Sequence, residues 1–498
     1  MRVSSSDFSI RAPSSSGRRP NVVFIMPDQL RARSLPLYQR RLPDADNTYP
    51  LPIETPHLEL LASQSLVLDD VVSTCPVCTP YRAMLQTGRH PQTTGHIINS
   101  TRTRWSEIGL ADAFGRSGYR TGYVGKWHLH TGAWPANNVP DWVPEGRDRL
   151  GWQSWRGYNQ HMVYFDGYVN GDDWNADRWS GYETRGLQAY TRAFLDEHQA
   201  SHADDPFFLF LSPQPPHDSP FTMAPEEAYA GLPEIEAVSL PANVPEGVDR
   251  TRVKKAYRDY MAMILMVDEM VGSVLSDLER RGLTDDTLVV FTSDHGTMGG
   301  SHGRGFWEKK QPQEESIQVP FMVRFPDGRH GGERRSVLTS PVDLFPSLCG
   351  LCGVGVPRTV EGHDLSGAWC GASDALQQEG VLLMNFSEAF DHYRNGNEWR
   401  GVRTRDHCYA RYLDGREVLY GLRDDPLQME NLAEYRRHAD LKSSLAAMMG
   451  SLMAERGDEL QPCVNYRDWV DTQRRVVRNA YGPLPDPEQL PDWSLCGA

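Results

Sequence analysis

Residues 78–89 read Cys-Thr-Pro-Tyr-Arg-Ala-Met-Leu-Gln-Thr-Gly-Arg. The run before them, 67–72, is β-prone, so the local order is a strand, a loop and then a helix. Thr79 is expected as the N-cap and Pro80 as the first helical residue, where a missing N–H is harmless. Residue 78 then stands at the positive end of a helix, where free backbone N–H groups and the helix dipole favour an anion. A thiol beside a place suited to a sulfate or phosphate group is the feature the rest of the chain has to explain.

Four other segments share one design. Asn21-Val-Val-Phe-Ile-Met26 is a short buried strand that runs directly into Asp28 and Gln29. Leu288–Thr292 ends in Ser293-Asp294-His295-Gly296, and Phe207–Leu211 runs into Ser-Pro-Gln-Pro-Pro-His217. Tyr119–Val124 runs into Gly125-Lys126-Trp127-His128. Open α/β sheets bind ligands at the carboxyl ends of their strands, so these four ends define one expected site. An apolar stripe over 256–280 marks a long helix that Gly282 stops. The expected fold is α/β, a large mixed and mostly parallel sheet sandwiched by helices. From about 376 the texture changes to short alternating segments, Trp399–Tyr412 and Glu417–Leu422, separated by Asp-Gly and Asp-Asp-Pro turns. A helix at 434–456 and a Pro-rich tail follow. The expected organisation is a leader at 1–20, a catalytic domain at 21–375, and a smaller C-terminal α+β domain at 376–498 with a short antiparallel sheet.

With 498 residues the chain exceeds one ordinary core. The net charge of −15 argues against a nucleic-acid partner, so positive charge for an anionic substrate must be concentrated locally. No apolar run has transmembrane length. Residues 1–20 are rich in Ser, Arg and Pro and lack the apolar core of a signal peptide, which gives the expectation of a disordered leader and a cytoplasmic protein. Eight cysteines are too few for a disulfide-stapled fold. The pairs Cys75/Cys78 and Cys349/Cys352 invite a zinc reading, but they lie far apart, whereas structural zinc sites have compact ligand spacing.

The stretch 78–89, with a Cys two residues before a Pro and four before an Arg, resembles the signature of type I sulfatases in the alkaline phosphatase superfamily. The resemblance extends from Asn21 to about Ala433 and implies an alkaline phosphatase-like fold. It implies that Cys78 is oxidised by a formylglycine-generating enzyme to formylglycine, whose hydrate is the nucleophile. It further implies that Asp28, Gln29, Asp294, His295 and the formylglycine oxygen hold a divalent cation, Ca²⁺ by family precedent, with His295 and Gln29 leaving Mn²⁺ or Mg²⁺ open. Arg82 matches the residue that holds the nucleophile, and Lys126 and Lys309 match the lysines that clamp the sulfate; Lys310 competes with Lys309 by one position. His128 matches the base that breaks down the sulfated intermediate, and His217 the residue that meets the leaving group. Tyr81 departs from the family pattern, where Ser or Ala is commoner.

The implied activity is hydrolysis of a small organic or carbohydrate sulfate ester. The rival is a phosphonate monoester hydrolase or phosphodiesterase of the same superfamily, with a similar metal set. Lys126-Trp-His128 favours the sulfatase, since those hydrolases tend to carry Tyr and Thr at the flanking places. A binding protein on a dead hydrolase scaffold would have lost site residues, and none is missing. Residues 133–182 hold Trp134, Trp142, Trp152, Trp155, Trp174 and Trp179, which either stack on a sugar or pack a long loop segment. His161, Tyr164 and Arg400 are the expected substrate-binding residues, with Asp218 and Asn397 behind them. The Pro-Leu-Pro-Asp-Pro run at 483–487 reads as an arm that packs on the main domain or on a neighbouring subunit.

Overall fold

The structure, a computed structural model, describes residues 18–42, 53–130, 141–387, 389 and 397–496. Most of the expected leader (1–17) and Trp134 lie outside the described residues.

The main sheet has ten strands: β1 (Asn21–Ile25), β2 (Leu66–Leu68), β3 (Arg120–Lys126), β4 (Ser154–Tyr158), β5 (Tyr168–Asn170), β6 (Ala176–Arg178), β7 (Phe207–Ser212), β8 (Thr287–Phe291), β9 (Met322–Arg324) and β10 (Arg334–Arg335). Their order is β10-β2-β9-β8-β1-β7-β3-β4-β5-β6. The central five, β8-β1-β7-β3-β4, are all parallel. The register aligns Phe24 with Phe210 and Val290, so the ends of β1, β7 and β8 lie side by side.

β1 is apolar without alternation because both its faces are covered. Val23 and Ile25 pack against the helices Glu183–Ser201 and Arg250–Arg280. Val22 and Phe24 join the opposite core, with the helices Cys78–Thr87 and Pro341–Cys352. All five residues of β1 are buried, and each apolar one contributes roughly 1.5–3 kcal/mol. Much of the aromatic segment 142–182 is core: Trp152 and Trp155 pack around Tyr123 and Phe210, while Trp174 is exposed.

The second sheet is antiparallel, in the order β11 (Val381–Asn385), β12 (Trp399–Arg403), β13 (His407–Tyr412) and β14 (Glu417–Gly421). The helix Ala439–Glu455 packs on it. This sheet grips the first through buried Arg403, which pairs with Asp70 at 2.7 Å and Glu314 at 3.2 Å. The tail crosses back over the main domain: Arg104 donates to the carbonyls of Pro485 and Asp486, and Arg474 to those of Asn99 and Ser100. Among the described residues no helix is long and apolar enough to cross a membrane.

Candidate active site

The helix that carries the thiol runs from Cys78 to Thr87, and all ten residues are buried. Val77 is its N-cap, so Cys78 is the first helical residue and Thr79 lies inside, against the expected cap at Thr79. Thr79 does not cap because its hydroxyl donates to the carbonyl of His128 at 2.7 Å. Its N–H goes instead to Asn99 Oδ1 at 3.1 Å. Gly88 closes the helix with φ 66°, a left-handed conformation that costs glycine nothing. Tyr81 is fully buried in the core rather than in the cleft.

The four strand ends and this helix converge. Cys78 Sγ lies 3.2 Å from His295 Nε2, 3.3 Å from Lys309 Nζ and 3.8 Å from Asp28 Oδ1. Arg82 spans both carboxylates, Asp28 at 3.0 Å and Asp294 at 3.2 Å, and its other nitrogen donates to Lys126 O and Ser212 Oγ, each at 2.9 Å. Lys126 Nζ reaches Asp28 Oδ2 at 2.8 Å. Lys309 Nζ also faces Gln29 Oε1 at 3.5 Å and His217 Nε2 at 3.4 Å. Lys309 is therefore a lysine at the thiol, while Lys310, with φ 72°, gives its carbonyl to Trp399 Nε1 at 2.9 Å. Gln29 and His128 also have left-handed backbone, with φ 67° and 59°, a conformation that costs a non-glycine residue energy.

Three cations and two carboxylates share this buried volume, and their fields decide the protonation states. Burial and the neighbouring thiol push Asp28 up, yet Lys126, His217 and Arg82 outweigh them and hold it well below the carboxylate range. Asp294 is pushed up by burial and by Asp28. Burial also opposes a Cys78 thiolate, but Lys309 and Lys126 pull the thiol well below its ordinary value. Burial brings His128 down to about 4, which leaves a neutral imidazole able to take a proton. Burial and Lys309 disfavour charge on His217, but Asp28, Asp218 and Cys78 raise it to about 9, which leaves a proton to give.

The donor atoms of Asp28, Cys78, Asp294 and His295 all lie within 4.8 Å of one another. His295 Nδ1 is 3.0 Å from the Gly296 carbonyl, which places the proton there and leaves the Nε2 lone pair facing the cluster. Two carboxylates with one free imidazole nitrogen fit a divalent cation.

The three expected substrate contacts each have partners within the chain. Arg400 is fully buried in the second sheet, in a bidentate pair with Asp458 at 2.6 and 2.9 Å. Tyr164 is buried, and its hydroxyl donates to the His217 carbonyl at 2.6 Å, so it supports the site from behind. His161 spends both ring nitrogens on the backbone, Nε2 on Tyr168 O at 2.7 Å and Nδ1 on Val163 N at 3.3 Å. Asp218 pairs with His217 Nδ1 at 3.0 Å, and Asn397 accepts from Arg416. The sequence reading missed Glu183, a fully buried carboxylate under the His217 loop; it belongs to no motif, and only its place at the start of an amphipathic helix marked it.

A buried carboxylate pair, a depressed thiol at a helix N-terminus and converging cations define a hydrolase of anionic esters. The chain belongs to the sulfatase family: the sulfatase profile matches residues 20–354. A profile for the C-terminal region of N-sulphoglucosamine sulphohydrolase matches residues 300–455. An ulvan-active sulfatase of Formosa agariphila is 32% identical over 451 residues, covering 89% of this chain and 83% of the relative. An endo-4-O-sulfatase of Bacteroides thetaiotaomicron is 27% identical, covering 88% and 92%. A solved structure described for glycosaminoglycan metabolism by Bacteroides thetaiotaomicron superposes with a TM-score of 0.78 at 25% identity, covering 89% of this chain and 97% of that one. The protein is a sulfuric ester hydrolase.

Proposed function

We propose that this sulfatase releases inorganic sulfate from a sulfated carbohydrate, with Cys78 matured to formylglycine by a formylglycine-generating enzyme. The observation that carries the reading is the placement of Cys78 within 3.3 Å of both His295 and Lys309, at a helix N-terminus ringed by Arg82 and Lys126. Relatives named for ulvan and glycosaminoglycans support a carbohydrate substrate. Asp28, Gln29, Asp294 and His295 would hold the divalent cation, Ca²⁺ in our reading, which when bound supplies positive charge against the sulfate oxygens and acidity to the nucleophile. Cys78 is the residue that would carry the formylglycine, which once formed and hydrated would supply one hydroxyl as nucleophile and a second whose loss of a proton would let sulfate leave.

The chain's own residues do the rest. Lys126 and Lys309 bind the sulfate oxygens, and with Arg82 they stabilise charge that builds in the transition state. Arg82 also fixes Asp28 and Asp294 in one orientation. His217 gives its proton to the departing alcohol oxygen, and Asp218 on Nδ1 keeps the donating nitrogen on the cleft side. His128, neutral at pH 7, takes the proton from the second hydroxyl. The test is a panel of sulfated mono- and oligosaccharides against phosphonate monoesters with matured enzyme. Sulfate release from a saccharide with little phosphonate turnover is expected; the reverse preference overturns the reading.

A further inference from the structure

Residues 213–217 read Pro-Gln-Pro-Pro-His, and three prolines leave this loop only two backbone N–H groups to fix it. Both are committed. His217 N donates to Gln214 O at 3.0 Å, and Gln214 N donates to Glu183 Oε1 at 2.7 Å. The same Glu183 oxygen accepts the Tyr158 hydroxyl at 2.7 Å. Tyr158 ends β4, and there the carbonyls of Tyr158 and Asn159 accept from Trp127 N and His128 N, each at 2.8 Å. Glu183 is the first residue of the helix Glu183–Ser201, where the dipole favours a carboxylate, and it is fully buried. One carboxylate oxygen thus ties the loop that carries His217 to the strand end that holds His128. Its other oxygen has no hydrogen-bond partner.

We infer that Glu183 is a positioning residue for the reaction, setting His217 against the leaving oxygen through Gln214, with Tyr158 as its brace. This rests on the reading of His217 as the group that protonates the leaving alcohol. The loop cannot compensate for a lost anchor, because Pro215 and Pro216 offer no alternative donor. A positioned acid contributes about 10²–10⁴-fold to such a step, and misplacement by an ångström costs on the order of 10²-fold.

The test compares kcat/KM of matured wild type, Glu183→Gln, Glu183→Met, Tyr158→Phe and His217→Ala on two substrates. One is a saccharide sulfate, whose alkoxide leaving group needs a proton; the other is 4-nitrophenyl sulfate, whose phenolate does not. His217→Ala is expected to lose on the order of 10²-fold or more on the saccharide and far less on the aryl ester. Glu183→Met should show the same split at ~10- to 10²-fold, in kcat more than KM. Glu183→Gln keeps an acceptor where Oε1 sits and puts its amide NH₂ where Oε2 has no partner, so it should stay within about threefold of wild type. Tyr158→Phe, which deletes only a hydroxyl, should give a smaller split and decides the matter if Glu183→Met does not fold. Equal losses on both substrates, or no loss, in Glu183→Met or Tyr158→Phe overturn the positioning role. A His217→Ala variant without the split overturns the leaving-group reading itself, and the inference with it.

Discussion

Arg400→Met separates a substrate-binding arginine from a structural one. The guanidinium has no exposed surface and lies 3.9 Å over the Phe386 ring. Besides the bidentate bond to Asp458 it donates to the carbonyls of Asn385, Trp399 and Glu459. Asp458 is itself almost wholly buried. Methionine fills much of the same volume but leaves that carboxylate without its partner in a site water does not reach. Breaking one side of such a pair costs about 3–5 kcal/mol. Replacing both partners with apolar residues, as in Arg400→Met/Asp458→Leu, should recover a large part of the loss. The assay is denaturant unfolding of the three proteins, with KM for a saccharide sulfate measured under conditions where each is folded. The expected result is a large stability loss in the single variant, partial recovery in the double, and an unchanged KM. A raised KM with wild-type stability would refute the structural assignment.

Other consequences can be checked in the same preparations. Trp399→Phe removes the donor to the half-buried Lys310 carbonyl; loss of that hydrogen bond should cost about 1 kcal/mol and lower kcat by ~10-fold through Lys309, read from kinetics and thermal unfolding. Burial raises Glu183 from 4.5 to about 7, so the folded chain keeps a proton that the unfolded chain releases. Its contribution to stability is whole below pH 4.5 and shrinks by up to ~3 kcal/mol as pH rises through 7; Glu183→Gln should flatten that part of the profile of unfolding midpoint against pH. Asp294→Ala should abolish stoichiometric metal retention, measured by elemental analysis, along with sulfate release; retention of both would contradict the assigned ligands.

Much of the architecture was legible because the central strands are buried on both faces and announce themselves as apolar runs. Asn21–Ile25, Phe207–Ser212 and Thr287–Phe291 lie within a residue or so of where the sequence put them. The residues just past those strands met at one place, as the topology of parallel sheets requires. The helix start was displaced because Thr79 has a tertiary partner, the His128 carbonyl, that no local pattern reveals. Val381–Asn385 was not read as a strand, although its unbroken apolar run after Gly380 was the available signal. Short β4, β5 and β6 hid within an aromatic segment that reads as loop. Arg400, Tyr164 and His161 have one thing in common: residue type suggests a ligand contact, while the side chain is engaged with a partner inside the chain. Arg400 alternates with Trp399 and Gly401 along β12, so its neighbours leave by the other face while it turns toward Asp458.

The most direct test of the account is peptide mass spectrometry of residue 78 in enzyme co-expressed with a formylglycine-generating enzyme, read together with sulfate release by the same sample. The account expects the mass change of a thiol converted to an aldehyde or its hydrate, in a fraction that scales with specific activity. Full activity from a chain whose Cys78 remains a thiol would contradict it.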